Sequence, residues 1–374
     1  MKSFFKHPLN FITHFFTKTH NHAQNYRVRL WSVIITCIII IATLVLKNQS
    51  PKIHDKIPAV HQLSAQEKNR ATAVTVGLHI NGFPNFSFVK NEFTIDGILW
   101  FKFQYGAVSL DTIGDFSIQN SIIENGEIGY KSAPIVKLIG DDVLVSYHIQ
   151  STFKTNLNFK DFPLENHRLN IIVQNKNSTP YELYFQSDEN NLVIGKENLV
   201  LDWEPGQKTV HTGYLQANLE LDNPVAAIRY PVAVFTIDFE GIGIKDFVSL
   251  YLPLFFLFFL AFCFMFIETS KTVERWGYIA AAFSFLVLFR LVIDNSMPSI
   301  GYNTHIDFIF DLLVVLLLAL LFFQVYIQIS LQNIQQSPEH SHKQSKEKLE
   351  HLNNTFFLCI LITLSLCMIY SLFR

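Results

Sequence analysis

Five stretches of this chain are apolar enough and long enough to cross a bilayer, and their spacing is uneven. Leu30–Leu46 stands alone near the N-terminus, whereas Phe247–Ile267, Trp276–Ile293, Ile306–Ile329 and Thr355–Phe373 follow one another closely. An α-helix rises about 1.5 Å per residue, so about 20 apolar residues match the hydrocarbon thickness of a membrane. A segment in that solvent must satisfy its own backbone hydrogen bonds, which leaves helices and closed barrels. The pattern predicts a cytoplasmic segment at 1–29, a transmembrane anchor at 30–46, a polar linker at 47–71 that is a tether or short helix, an outer domain at 72–246 and four helices at 247–373.

Charge orients these spans. Lys2, Lys6, Lys18, Arg27 and Arg29 precede the first one with no acidic residue among them, which keeps the N-terminus in the cytoplasm. The exit, Leu44-Val45-Leu46-Lys47, has no small-x-small cleavage site, so an uncleaved anchor is favoured over a signal peptide. By alternation the turn Glu268–Arg275 is inside and carries Lys271 and Arg275, and Asp294–His305 is outside with neither Lys nor Arg. The loop 330–354 is inside with Lys343, Lys346 and Lys348, and is expected to be solvated with a helical end at Lys346–Leu352. The expected location is the inner membrane, multi-pass, with the outer domain periplasmic or extracellular and membrane lipid as a partner.

Between residues 72 and 246 the pattern shortens to alternation. Val74-Thr-Val-Gly-Leu-His-Ile80, Phe93–Phe103, Val143–Ile149, Leu169–Val173, Thr209–Leu219 and Tyr230–Phe239 are separated by Gly, Asn, Asp and Pro. Short runs of period two with such punctuation predict an antiparallel β-sandwich. The expected fold class is therefore an extracytoplasmic antiparallel β-sandwich followed by a four-helix transmembrane bundle, with an additional N-terminal transmembrane helix.

Several functions are excluded or disfavoured. The formal net charge is −2, so no broad basic face argues for nucleic acid. Cys37, Cys263, Cys359 and Cys367 all lie in apolar segments, which leaves no disulfide framework and no metal-ligand spacing. His7, His14, His20 and His22 cluster before the anchor without a defined ligand spacing. The sequence contains no GxSxG, HExxH, Walker loop or flanked GxGxxG, so no enzyme, cofactor or metal is expected. The 36 phenylalanines fit an AT-rich genome better than any functional reading.

One segment of the outer domain carries a mechanical suggestion. In Asn158–Val173, NFKDFPLENHRLNIIV, Phe162-Pro163-Leu164-Glu165 is an apolar knuckle whose proline pre-sets φ and removes a donor. Such a knuckle ahead of membrane helices is suited to press on them.

Taken in order, these features resemble the pentameric ligand-gated ion channels, the Cys-loop receptor family, in its prokaryotic form. Asn158–Val173 is similar to that family's central loop and next strand, Phe93–Phe103 to its second strand, and Leu199-Val-Leu-Asp-Trp203 to the strand before its ligand-capping hairpin. Pro253 stands where the first bundle helix usually has a proline. Glu274-Arg275 opens the next helix, and Asn295-Ser-Met-Pro298-Ser-Ile-Gly-Tyr302-Asn-Thr304 closes it in the manner of bacterial members. The resemblance covers Ala73 to Phe373 and leaves out the N-terminal anchor. Departures include Thr155 and Leu169 in place of the bridging cysteines, Glu165 for Asp, His167 for Gln, and Gly241 where an Arg is common.

The resemblance implies a homopentamer that conducts monovalent cations and opens when a small-molecule or ionic ligand binds between adjacent sandwiches. At about 3.6 residues per turn, one stripe of the second bundle helix reads Glu274, Gly277, Ala281, Ser284, Leu288, Leu291 and Asn295. Five copies would make Leu288 and Leu291 an apolar constriction, with Ser284 displacing the gate outward and Glu274 forming an acidic ring at the cytoplasmic mouth. The competing reading is small residues packing against neighbouring helices. Arg290 lies well round the helix from Leu288 and needs a partner in the membrane, Asp311 first and Asp307 second. Phe162, Pro163, Leu164 and Glu165 would rest on Pro298 and Tyr302 to couple domain to pore. Tyr181, Tyr184, Trp203 and Tyr230 are the candidate aromatics for a ligand cage. The alternative function is a non-conducting, membrane-tethered sensor or binding protein with the same fold.

Overall fold

The computed structural model describes residues 22–48, 55–88, 90–119, 121, 123–124, 127–164, 166–195, 203–219, 227–241, 244–297, 300–336 and 338–371. They form a β-rich unit (Lys52–Lys245 with Asp294–Tyr302) and a helical unit (Met1–Pro51, Asp246–Ile293 and Asn303–Arg374).

In β1 (Thr72–Ser87), Val74, Val76, Leu78 and Ile80 are all fully buried, one side chain in two, as a strand with one face on a core requires. The same alternation runs through β2 (Glu92–Gln104), after which come β3 (Phe116–Ile118), β4 (Ile123–Glu124), β5 (Glu127–Ile128), β6 (Tyr130–Lys131) and β7 (Ile135–Ile139). Next are β8 (Asp142–Phe153), β9 (His167–Asn175), β10 (Leu183–Gln186), β11 (Leu192–Ile194), β12 (Trp203–Asn218) and β13 (Ala227–Gly241). One sheet has the order β10-β1-β2-β8-β6, with β11 also on β1 and β7 also on β8; a second has β12-β13-β9-β3. Their facing sides share one core, in which Val76, Phe101 and Val145 from the first sheet join Ile171, Phe235 and Ile237 from the second.

The expected sheet was antiparallel throughout, and here the structure corrects it. β10 and β11 pair with β1 in parallel, Thr72 opposite Leu183 and Leu78 opposite Leu192. The chain leaves β9 in one sheet and returns in the other along β1's open edge, where two short strands cover backbone groups that would otherwise be exposed. A crossing of that kind needs no hairpin, so nothing local in the sequence announces it.

The linker expected at 47–71 packs on the β-rich unit over its described residues and includes a short helix, one of its two expected forms. Residues 55–62 lie against the outer face of the second sheet, where Ile57 and Val60 pack with Leu215 on Ile172, Val232 and Val234. A one-turn helix at Ala65–Lys68 follows, capped reciprocally by Ser64 and Glu67. The Glu67 carboxyl is held below the ordinary carboxylate range by its bonds to Ser64, and further by the charge of Arg229.

The helical unit contains α1 (His22–Asn48), α2 (Ile244–Phe266), α3 (Thr272–Ser296), α4 (His305–Gln336) and α5 (Glu339–Ser371). Each is long and apolar enough to cross a membrane. α1 packs against α5, and α5 against α4. The solvated loop expected at 330–354 is almost wholly helical, because α4 continues to Gln336 and α5 begins at Glu339. Its Gln, Lys, Glu and Leu residues are strong helix formers, and Leu349 and Asn353, one turn apart, turn one face inward.

Candidate functional site

α3 has two contrasting faces. Arg275, Ile279, Ala282, Leu286, Phe289 and Ile293 are buried at alternating spacings of four and three, the seam that turns toward the helix's own unit. Glu274, Gly277, Ala281, Ser284, Leu288, Leu291 and Asn295 are all exposed, and Leu288 lies about 200° round from Leu286. A Cβ built on Gly277 would meet nothing within 4 Å. Ser284 Oγ donates to the Ala280 carbonyl at 2.9 Å, so its hydroxyl is already satisfied along the helix. Leu288 and Leu291 are 63% and 57% exposed, large apolar side chains left mostly uncovered by their own chain. The exposed surface is broader than the stripe, since Val273, Tyr278, Phe285, Val287 and Val292 share it. What singles out the stripe is its chemistry, small and weakly polar toward Glu274 and leucine beyond. Glu274 lies 3.8 Å from Lys271 Nζ, and both are well exposed.

The neighbouring charges are seated in the helical unit. Arg275 is fully buried, donates from Nη2 to Asn353 Oδ1 at 3.1 Å and lies over the Phe264 ring. Arg290 Nη1 is 2.7 Å from Asp307 Oδ1, which corrects the expected pairing with Asp311. Asp307 is preferred because Thr304 already holds it: Oδ2 accepts from the Thr304 amide at 2.9 Å and from its hydroxyl at 2.7 Å. Asp311, one turn further along, is exposed and lies 3.5 Å from Asn303 Nδ2.

In the loop at 158–168 the Leu164 side chain is buried, and Phe162 and Pro163 are half-buried, joined by a cis peptide bond. Glu165 and Pro298 lie outside the described residues. Tyr302 Oη accepts the Phe159 amide at 2.9 Å, so the loop meets the 294–302 turn through backbone that the sequence did not single out. Two further residues were missed. Asp55, almost completely buried, accepts the Asn158 amide at 2.6 Å and the Arg168 amide at 2.8 Å, and lies 3.2 Å from His167 Nδ1. Asp238 receives Arg168 Nε and Nη2 at 2.6 and 2.8 Å, a two-pronged pair that raises the guanidinium pKa above its ordinary value. The only sequence signal for Asp55 was an acid in a polar stretch; for the Asp238–Arg168 pair there was none.

The candidate aromatics do not form one cage. Trp203 opens β12 opposite Gly241 and packs on Phe88 and His167, while Tyr230 pairs with Leu215 near the other end of the same hairpin. At about 3.3 Å per residue that separation is roughly 35 Å. Tyr184 is buried on β10, its hydroxyl bonded to Gln186. Tyr181 is exposed and accepts from Arg229 Nη1 at 2.9 Å. Arg229 also lies 5.1 Å above the Tyr214 ring, so Tyr214, His61 and Arg229 surround the end of the hairpin where Tyr230 sits. An aromatic face there is occupied by a protein cation. Among the described residues no group of His, Cys, Asp and Glu side chains forms a metal site.

No protein-family model matches this chain, and no curated protein matches it. The chain is a membrane protein in its architecture: a β-rich, sandwich-like region followed by apolar helices, with one more such helix before it.

Proposed function

We propose that this chain is the subunit of a ligand-gated, cation-conducting channel built as a homopentamer, with α3 lining the pore. The observation that carries the reading is the stripe Glu274–Asn295, small and weakly polar over half its length, exposed on the side of α3 away from its own seam. A membrane-crossing helix with such a face needs either water or further protein against it. Five copies around an axis supply the water, with Glu274 at the cytoplasmic mouth and Leu288 and Leu291 as the apolar constriction. The 158–168 loop and Tyr302 carry movement of the outer domain to the helices. The ligand binds between adjacent sandwiches, with Tyr181 and Tyr230 kept as its candidate aromatics. The extra helix α1 anchors the N-terminus in the same inner membrane.

Replacing the four native cysteines and introducing single cysteines along α3 tests this. In reconstituted vesicles a charged, membrane-impermeant thiol reagent is expected to modify positions 277, 281 and 284 and block current, while 287 and 292 react much more slowly. Equal protection of all five positions, in particles confirmed as pentamers, would favour the non-conducting sensor.

A further inference from the structure

We propose that Asp55 is the positioning residue that closes the 158–168 loop, and that residues 55–62 are a strap that holds it there. The role of the loop in gating rests on the channel reading; the clamp itself does not.

The clamp is one carboxylate with an oxygen for each end of the loop. Oδ1 takes the Asn158 amide at 2.6 Å, and Oδ2 takes the Arg168 amide at 2.8 Å with His167 Nδ1 at 3.2 Å. Its side chain is 1% exposed and that of His167 2%, so water does not compete for these bonds. His167 is itself held in place, stacked on Phe88 and flanked by Phe159 and Trp203. Between Asn48 and Asp246 the sequence has no cysteine, so no covalent cross-link closes the loop. Bonds from backbone amides to an ionised acceptor are the strong alternative.

The strap cannot slide. The Lys56 carbonyl accepts Asn170 Nδ2 at 3.1 Å, and Ile57 and Val60 sit on the small apolar cluster of Ile172, Val232 and Val234. His61 exchanges two backbone bonds with Tyr214, at 3.0 and 2.9 Å, and stacks on its ring. Gln62 Nε2 reaches the Thr212 carbonyl at 2.9 Å. Between these contacts Gly213 leaves no room for a side chain, since a Cβ there would stand 2.2 Å from the His61 carbonyl oxygen. This register is fixed at the hairpin end and delivers Asp55 to the loop at the other.

Hydrogen exchange of the full-length protein in lipid nanodiscs tests the proposal without any current. In Asp55→Ala the amides of 158–168 are expected to exchange at least tenfold faster, with peptides of β2 and β8 unchanged. Asp55→Asn offers one acceptor oxygen and one amino group, and a donor facing a donor frees one end only, so faster exchange is expected at either 158 or 168 but not both. If the alanine variant loses protection everywhere, the asparagine variant decides. Unchanged exchange in 158–168 in the asparagine variant overturns the clamp. A silent bilayer recording would count against the channel and leave these readings intact.

Discussion

Replacing Arg290 with alanine is expected to lower the thermal unfolding midpoint of the purified protein by several degrees, and Asp307→Ala to lower it further. Arg290 Nη1 stands 2.7 Å from Asp307 Oδ1, and the aspartate side chain is only 8% exposed. Removing one partner from a buried pair costs about 3–5 kcal/mol, because the other charge is left without compensation. Arg290 is 39% exposed within its own chain, which discounts the figure to about 2–3 kcal/mol. Asp307→Ala loses more, since the same carboxylate accepts the Thr304 amide and hydroxyl at the start of α4. The charge exchange Arg290→Asp with Asp307→Arg restores the pair but not those Thr304 bonds, so recovery should be partial. Arg290→Asp with Asp311→Arg should recover nothing. Equal recovery by the two double variants would show that the pair is not specific to Asp307.

That pair also marks where the sequence stopped being legible. Spacing placed Arg290 and an aspartate of the next helix at similar depth, but Asp307 and Asp311 are one turn apart on one face and periodicity does not choose between them. The choice was made by Thr304, a capping interaction across a helix start. The five apolar helices and the alternating strands were readable because each follows from a period, 3.6 or 2, repeated over many residues. The α3 stripe was readable for the same reason. Asp55 was not, because its partners at 158, 167 and 168 are over a hundred residues away and two of them are backbone amides. The parallel pairing of β10 and β11 on β1 escaped on similar grounds, since Thr72 and its partner Leu183 are over a hundred residues apart. Four aromatics on matching strands read as one candidate cage, yet Trp203 and Tyr230 stand at opposite ends of one hairpin.

The largest functional effect is expected from Leu288→Ser. On the channel reading, five copies of Leu288 with Leu291 one turn outward form a ring that water leaves when the pore narrows, so ions face a dehydrated gap. Leu288 is 63% exposed in the single chain and its side chain has no other evident task. A hydroxyl in its place gives water a partner at each of five positions. If each contributes only about 0.5 kcal/mol toward hydrating the constriction, the five together shift the closed–open balance by about 2.5 kcal/mol, roughly 70-fold. The expected result is a standing cation current without ligand in bilayers containing Leu288→Ser protein. Val287→Ser is the matched control, because Val287 is 64% exposed but sits about 100° away around α3, off the stripe. It should leave the unliganded current at the level of the parent. A leak of equal size from both variants would mean that disruption of helix packing, not hydration of a ring, opens the path. Without any leak from Leu288→Ser in conducting pentamers, the constriction would have to be assigned to another turn of the helix, Leu291 first.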